Sequence, residues 1–201
     1  MPAQENKYRY DVKNCHYCPG TRNADGTITF DVSKIKREPG IMSIDMQAQG
    51  DTKPIRADGI DYIIIASNNG YSGTLNFVKL SDDFRVDCLG EARDITTGIQ
   101  YEDADVTPAP FALMGEFKGD VEGIRWIYYN CTASRPNQAG DNKENMKEPD
   151  TESISVQVSP LPATIDGEEK NIVRGGVTKS RNAATYNNWF TKVCLPGVSN
   201  T

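Results

Sequence analysis

One histidine, His16, is all the imidazole in this chain of 201 residues. A nucleophile that needs a histidine base has almost no choice of partner, so catalysis of that type is poorly supported. There is no G-x-S-x-G, no P-loop and no dinucleotide fingerprint. No block of Lys and Arg stands out: 22 basic residues face 28 acidic ones, for a formal net charge of −6. Such a chain has no electrostatic grip on nucleic acid, although its charge suits both ordinary solubility and a surface along which DNA slides without sticking. Apolar runs are short, the longest lying around Tyr62 to Ala66, far below the length that crosses a bilayer. The opening "MPAQENKYRYDVKN" lacks the apolar stretch of a signal peptide, so the protein is expected to start life in the cytoplasm.

Five cysteines at scattered spacings predict free thiols rather than a disulfide framework. Within "NCHYCPG", Cys15 and Cys18 have the C-x2-C spacing that bites a zinc ion from a tight turn. Structural zinc needs four ligands. His16 lies inside the same segment, and Cys88, Cys131 and Cys194 each stand alone. A lone half-site does not carry a metal, and neither metal nor cofactor is expected. The acidic pair Asp82/Asp83 reads as helix capping, and Asp103/Asp105 as chance in an acidic chain. A calcium loop from Asp141 lacks the alternating ligands and internal glycine it would need. Asn130-Cys131-Thr132 is a rare form of glycosylation sequon, expected to stay unmodified without secretion. No enzyme is expected.

What the chain does have is strand after strand. Tyr8, Tyr10 and Val12 alternate with polar residues, as do Ile28, Phe30 and Val32 after the turn signal Asp25-Gly26. Met42, Ile44, Met46 and Ala48 form another alternating run. It ends at a polar segment, "QAQGDTKPIRA" from Gln47 to Ala57, which reads as a loop or hairpin tip. "IDYIIIA", "YSGTLNFVKL", Phe111 to Lys118, Ile124 to Ala133 and Ile154 to Val158 read as further strands. "SDDFRVDCLG" reads as a short helix, with Ser81 as N-cap and Gly90 as its stop. The tract Asn137 to Asp150 reads as a loop, "SPLPA" as a strand breaker, and "ATYNNWFTKVCLP" as a last short helix. One domain spans residues 1–201.

The strand from Ile124 to Ala133 raises a question. Ile124, Trp126 and Tyr128 point to one face, and Ile127, Tyr129 and Cys131 to the other. Both faces are apolar in a chain that is only 37% hydrophobic, so something must cover the second face. Ile124, Trp126, Tyr128 and Tyr129 are therefore expected in a core or a subunit interface.

Six stretches, in order, resemble one family. They are "NNGYSGTL" from Asn68, "DDFRVDCLGE" from Asp82, "PFALMGEFKGDVEG" from Pro110, "YNCTASRP" from Tyr129, "EPDTES" from Glu148 and "NNWFTKVCLP" near the end. Together they are similar to the major tail protein, or tail tube protein, of phages with long non-contractile tails. The likeness is closest to members from phages and prophages of Gram-positive bacteria. The resemblance implies a mainly-β fold: a tail-tube-type β-sandwich with a flanking short helix and extended loops, without an added immunoglobulin-like domain. It implies a structural virion protein that forms stacked hexameric rings and so builds the hollow tail tube. Such a tube houses the tape-measure protein and conducts double-stranded DNA to the host without binding it specifically. A tail terminator, a baseplate and assembly chaperones are implied as further partners, with assembly in the host cytoplasm and residence in the virion tail. The "NCHYC" segment is not a family feature.

Under this resemblance the second face of the Ile124–Ala133 strand is covered by a helix or by a neighbouring subunit. The Gln47–Ala57 segment, with Gln49, Asp51, Lys53 and Arg56, becomes a candidate contact to an adjacent ring. The alternative reading is a β-sandwich binding module for carbohydrate or protein at a phage or cell surface. A tube subunit of a contractile injection system is a further alternative.

Overall fold

Phe111–Lys118 and Arg125–Ala133, the two segments with apolar residues on both faces, lie side by side in the middle of one large antiparallel sheet. The structure is a computed structural model; it describes residues 10–57, 59–118, 123–138, 140 and 150–198. In chain order the elements are β1 (Tyr10–Arg22), β2 (Ile28–Phe30), β3 (Lys36–Arg37), β4 (Ile41–Gln49), β5 (Thr52–Ala57), β6 (Ile60–Ala66) and β7 (Gly70–Phe77). Helix α1 (Asp82–Phe84) continues into a π-helical turn, Arg85–Leu89. The small strands β8 (Ala92–Arg93) and β9 (Gln100–Tyr101) follow, then β10 (Phe111–Lys118), β11 (Arg125–Ala133), β12 (Glu152–Val158), β13 (Leu161–Ile165), β14 (Glu168–Ile172), β15 (Arg174–Val177) and α2 (Ala183–Asn187).

The main sheet runs β2-β1-β10-β11-β12-β7-β4, with β3 added on β1 and β15 on β11. Strand β11 is its fork. Arg125 to Tyr128 pair with β15, and Cys131 to Ala133 pair with β12. Between them β11 carries a bulge: Leu113 pairs with Tyr128, but Phe111 pairs with Cys131. The branch through β12, β7 and β4 returns over one face, so that β4 approaches β1. The protein is therefore mainly β. Both walls of its core belong to one hydrogen-bonded sheet, and the pairing does not define the two separate sheets of a sandwich.

The enclosed face holds the first core, with Tyr17, Leu75, Phe77, Phe111, Leu113 and Ile154 fully buried. The α1 segment closes it with Phe84, Cys88 and Leu89. Ser81 caps α1 by accepting from the Phe84 N–H at 3.1 Å, and Gly90 ends it at φ +83°. The opposite face holds a second core of Ala112, Met114, Ile127 and Tyr129. Its cover is the chain's own C-terminal part, through Leu161, Val177, Trp189 and Cys194. Tyr129 Oη donates to the Cys194 carbonyl at 3.0 Å, and Trp189 Nε1 to the Trp126 carbonyl at 3.3 Å. A two-faced strand is thus satisfied within one chain, each large buried side chain contributing roughly 1.5–3 kcal/mol.

Several expectations from sequence need correction. "NCHYCPG" is not a turn but the middle of β1, so successive side chains cross the sheet: Cys15 enters the first core and Cys18 the second. The two thiols point apart and cannot bite one ion. Cys131 does not share a face with Ile127 and Tyr129, because the bulge returns it to the side of Trp126. Met42 is 55% exposed, since a register shift between Ile41 and Ser43 turns Ile41 inward in its place. "SPLPA" does break the strand, since β12 ends at Val158, but a new strand follows within it: β13, with Pro162, pairs with β14. The tract Asn137 to Asp150, expected as a loop, lies mostly outside the described residues.

Candidate functional site

The polar segment expected to be a loop is one side of a hairpin arm. β4 and β7 form a long antiparallel ladder ending at Gln49 and Gly70. Beyond it the same two chain segments run on as β5 and β6. The junction is clamped: Asn69 N–H donates to the Gln49 carbonyl at 2.8 Å, Ser67 N–H to the Asp51 carbonyl at 2.9 Å, and Asp51 N–H to Ser67 Oγ at 3.0 Å. β5 and β6 pair only with each other. At about 3.3 Å per residue, the six residues of β5 overhang the body by roughly 20 Å. Every residue of β6 is exposed, as are Thr52 to Arg56 of β5.

Register sorts the arm's side chains. Cross-strand partners share a face, so Ile55 lies beside Ile63, and Lys53 beside Ile65. The other face holds Thr52 with Ala66 and Pro54 with Ile64. Tyr62 falls in a bulge between the Ile55/Ile63 and Arg56/Asp61 pairs. Arg56 Nε bonds Asp61 Oδ1 at 2.7 Å near the tip. Tyr62 and Ile64 are 67% and 64% exposed, values unusual for side chains of that size.

Of the residues expected in an inter-ring contact, Lys53 and Arg56 lie on the arm. Asp51 lies at its root, and Gln49 belongs to the body, where its side chain donates to Ser72 Oγ at 2.7 Å. The sequence reading missed Ile60 to Ile65. The apolar run from Tyr62 to Ala66 is the usual mark of a strand buried on both faces, and here every residue of it is exposed.

A second feature lies where the folded-back branch meets β1. A groove of about 910 Å³ opens between Tyr10–Val12 and the Met42–Met46 stretch of β4. Tyr71, Phe117, Trp126 and Tyr128 line it. Tyr128 packs edge-on against Tyr71 (5.4 Å) and Trp126 (5.8 Å), and Arg174 lies over Tyr71. Trp126 is buried, yet its Nε1–H has no acceptor among the described residues. Ile124, expected in a core or a subunit interface, precedes β11 and is 41% exposed at the same groove.

His16 serves packing. Its ring stacks on Phe190 at 4.4 Å, Nδ1 lies 2.8 Å from the Asn14 carbonyl, and burial lowers its pKa. Arg125 lies over Tyr186 and Phe190 and bonds Glu116, which also takes Asn14 and Lys13. Burial raises the Glu116 pKa, the hydrogen bonds from Arg125, Asn14 and Lys13 outweigh it, and the net shift is downward. Among the described residues, no three His, Cys, Asp or Glu side chains gather as metal ligands, and no helix is long and apolar enough to cross a membrane.

No protein-family model matches the chain, and no curated protein matches it. The class defined by structure alone is a mainly-β protein with a projecting, apolar two-stranded arm.

Proposed function

We propose that this chain is a structural subunit that polymerises, as its resemblance to tail tube proteins suggests, into stacked hexameric rings forming a hollow phage tail tube. The observation that carries the reading is the β5–β6 arm. A two-stranded hairpin is marginal in water without a third strand or a packed face. Six large apolar side chains (Ile55, Ile60, Tyr62, Ile63, Ile64 and Ile65) stand exposed on this one. An unprotected, apolar strand edge is an aggregation hazard unless a partner covers it. A contact between an arm and a different patch on the next copy is heterologous, and heterologous contacts generate rings or open stacks. The absence of a basic block fits a conduit that DNA leaves freely.

In this reading the tape-measure protein occupies the lumen, double-stranded DNA passes without specific binding, and a terminator, a baseplate and assembly chaperones act on the polymer. The protein is not an enzyme, and its place is the virion tail after assembly in the host cytoplasm. Negative-stain electron microscopy of the concentrated protein, with size-exclusion light scattering, tests it. Rings or tubes are the expected result; a chain that stays monomeric at every concentration, with and without tape-measure protein, overturns it.

The aromatic groove favours one second reading, a carbohydrate-binding module. Trp126 is only 8% exposed, however, and so offers little ring face on which a sugar could stack.

A further inference from the structure

We infer that copies of this chain meet head to tail, the acidic β8–β9 hairpin of one seating on the basic rim of the groove of the next. The inference rests on the self-assembly reading above and adds to it a contact made by charge, apart from the arm.

The acid is concentrated in one segment. Ser81 to Ala109 holds eight Asp and Glu against two Arg. Several are neutralised within the chain: Asp83 and Asp87 by Lys36, Glu91 by Arg85, and Glu102 by Arg135. Asp94, Asp103 and Asp105 form no ion pair among the described residues, and the last two are exposed. In the same hairpin Ile95 is 100% exposed, Ile99 61% and Tyr101 50%, and its two strands pair only with each other. An apolar patch beside uncompensated carboxylates marks a contact site for a cationic partner.

The base is concentrated elsewhere. Beyond Glu169 the sequence has no Asp or Glu, and Arg174, Lys179 and Arg181 are exposed and form no ion pair among the described residues. Arg174 and Arg181 line the groove, where Arg174 lies 5.4 Å over the Tyr71 ring. The acids at the groove do not offset them. Asp11 pairs with Lys118 at 3.6 Å. Asp45 alternates with half-buried Ile44 and Met46, so its side chain leaves on the opposite face of β4.

Position decides whether the two patches meet within one chain or between copies. Arg135, just past the C-terminal end of β11, donates to the Asp103 carbonyl at 3.3 Å and holds the hairpin there. The loop with Lys179 and Arg181 follows Val177, which pairs with Arg125 at the N-terminal end of β11. At about 3.3 Å per residue, the strand sets the two surfaces roughly 30 Å apart. Complementary patches at opposite ends of one strand meet only between molecules. That contact is heterologous, the kind that closes rings or extends stacks.

The test is a mixing experiment. One variant carries Lys179→Glu and Arg181→Glu, so that both of its ends are acidic. The other carries Asp103→Lys and Asp105→Lys, so that both are basic. Each alone is expected to need roughly tenfold more protein to assemble, read by light scattering, and an equal mixture of the two to recover assembly. Wild-type assembly should weaken as salt is raised. All four sites are exposed, and unchanged thermal unfolding checks that each variant folds. Independently, the photo-crosslinker p-benzoylphenylalanine at Ile95 of the otherwise wild-type chain is expected to join Tyr71 or Thr178–Arg181 of another copy, mapped by mass spectrometry. Assembly that ignores the reversals, or that crosslinks Ile95 elsewhere, overturns this contact and leaves self-assembly intact. A chain that never associates overturns both. A DNA duplex that the wild type retains and the Lys179→Glu, Arg181→Glu variant releases, with assembly indifferent to the reversals, assigns the basic rim to phosphate and overturns the inference.

Discussion

Gly115 faces Trp126 across the β10–β11 ladder, and the indole occupies the space a side chain on Gly115 would need. A Cβ there would stand 2.4 Å from Cζ2 and 2.8 Å from Cη2. The glycine lets Trp126 lie against the sheet and form the groove floor. Gly115→Ala is expected to destabilise the fold by about 1–3 kcal/mol through overpacking, read from urea unfolding. It should also alter tryptophan emission, because the indole must move.

The second prediction concerns Glu116, which is 5% exposed. Its hydrogen bonds hold its pKa below the ordinary value of 4.5, against the opposing effect of burial. A carboxyl with a depressed folded pKa contributes stability that is full above its unfolded value and is lost as pH falls through the folded one. Glu116→Gln should cost about 3 kcal/mol at neutral pH, since it leaves Arg125 short of its charge partner. The gap between wild type and variant should close as pH is taken below 4.5. A gap that stays constant down to acid unfolding would refute this account.

Glu38 works in the opposite sense. It is buried, and burial raises its pKa against the hydrogen bonds from Ser81 N–H (2.8 Å) and Ser81 Oγ. Its linkage contribution is present below the unfolded value and lost as pH rises through the raised one. Ser81→Ala removes both the α1 cap and one partner of Glu38. The expected loss is about 1–2 kcal/mol, greater at pH 7 than at pH 4, measured by thermal unfolding at the two pH values.

All five cysteines are free and buried. Burial is the leading cause that raises every one of their thiol pKa values, that of Cys18 up to about 12. The native protein should react with Ellman's reagent only at the rate of unfolding, because the thiolate is the reactive form. Rapid release of even one equivalent would contradict the packing described for β1 and β11.

Replacing Ile63 and Ile65 together by Glu should leave stability within about 0.5 kcal/mol, as for exposed sites generally. The same change should abolish particles larger than a monomer in light scattering. Loss of folding instead would show that the arm belongs to the body's own core.

Alternation made much of the fold legible. Ile154, Val156 and Val158 are buried and their neighbours exposed or half-buried, as period two requires. Ser81 and Gly90 bracket a helix because capping is local chemistry. The arm was only half legible. Gln47 to Ala57 read as a polar loop or hairpin tip, while Ile60 to Ala66 read as one more strand. Hydrophobicity reports a need for burial and says nothing of which chain provides it.

By itself, then, the sequence determined the mainly-β class, the places of strands such as β7, β10, β11 and β12, the α1 caps and the need to cover both faces of β11. These depend on spacing and residue type within a few positions. Only the tertiary structure decided which residues share a face and what lies over them. A bulge inserts one residue and reverses every later side chain, so Cys131 joins Trp126, and Ile60 changes sides relative to Ile64. The cover over Tyr129 comes from Trp189 and Cys194, more than fifty positions along the chain, a distance at which local pattern carries no information.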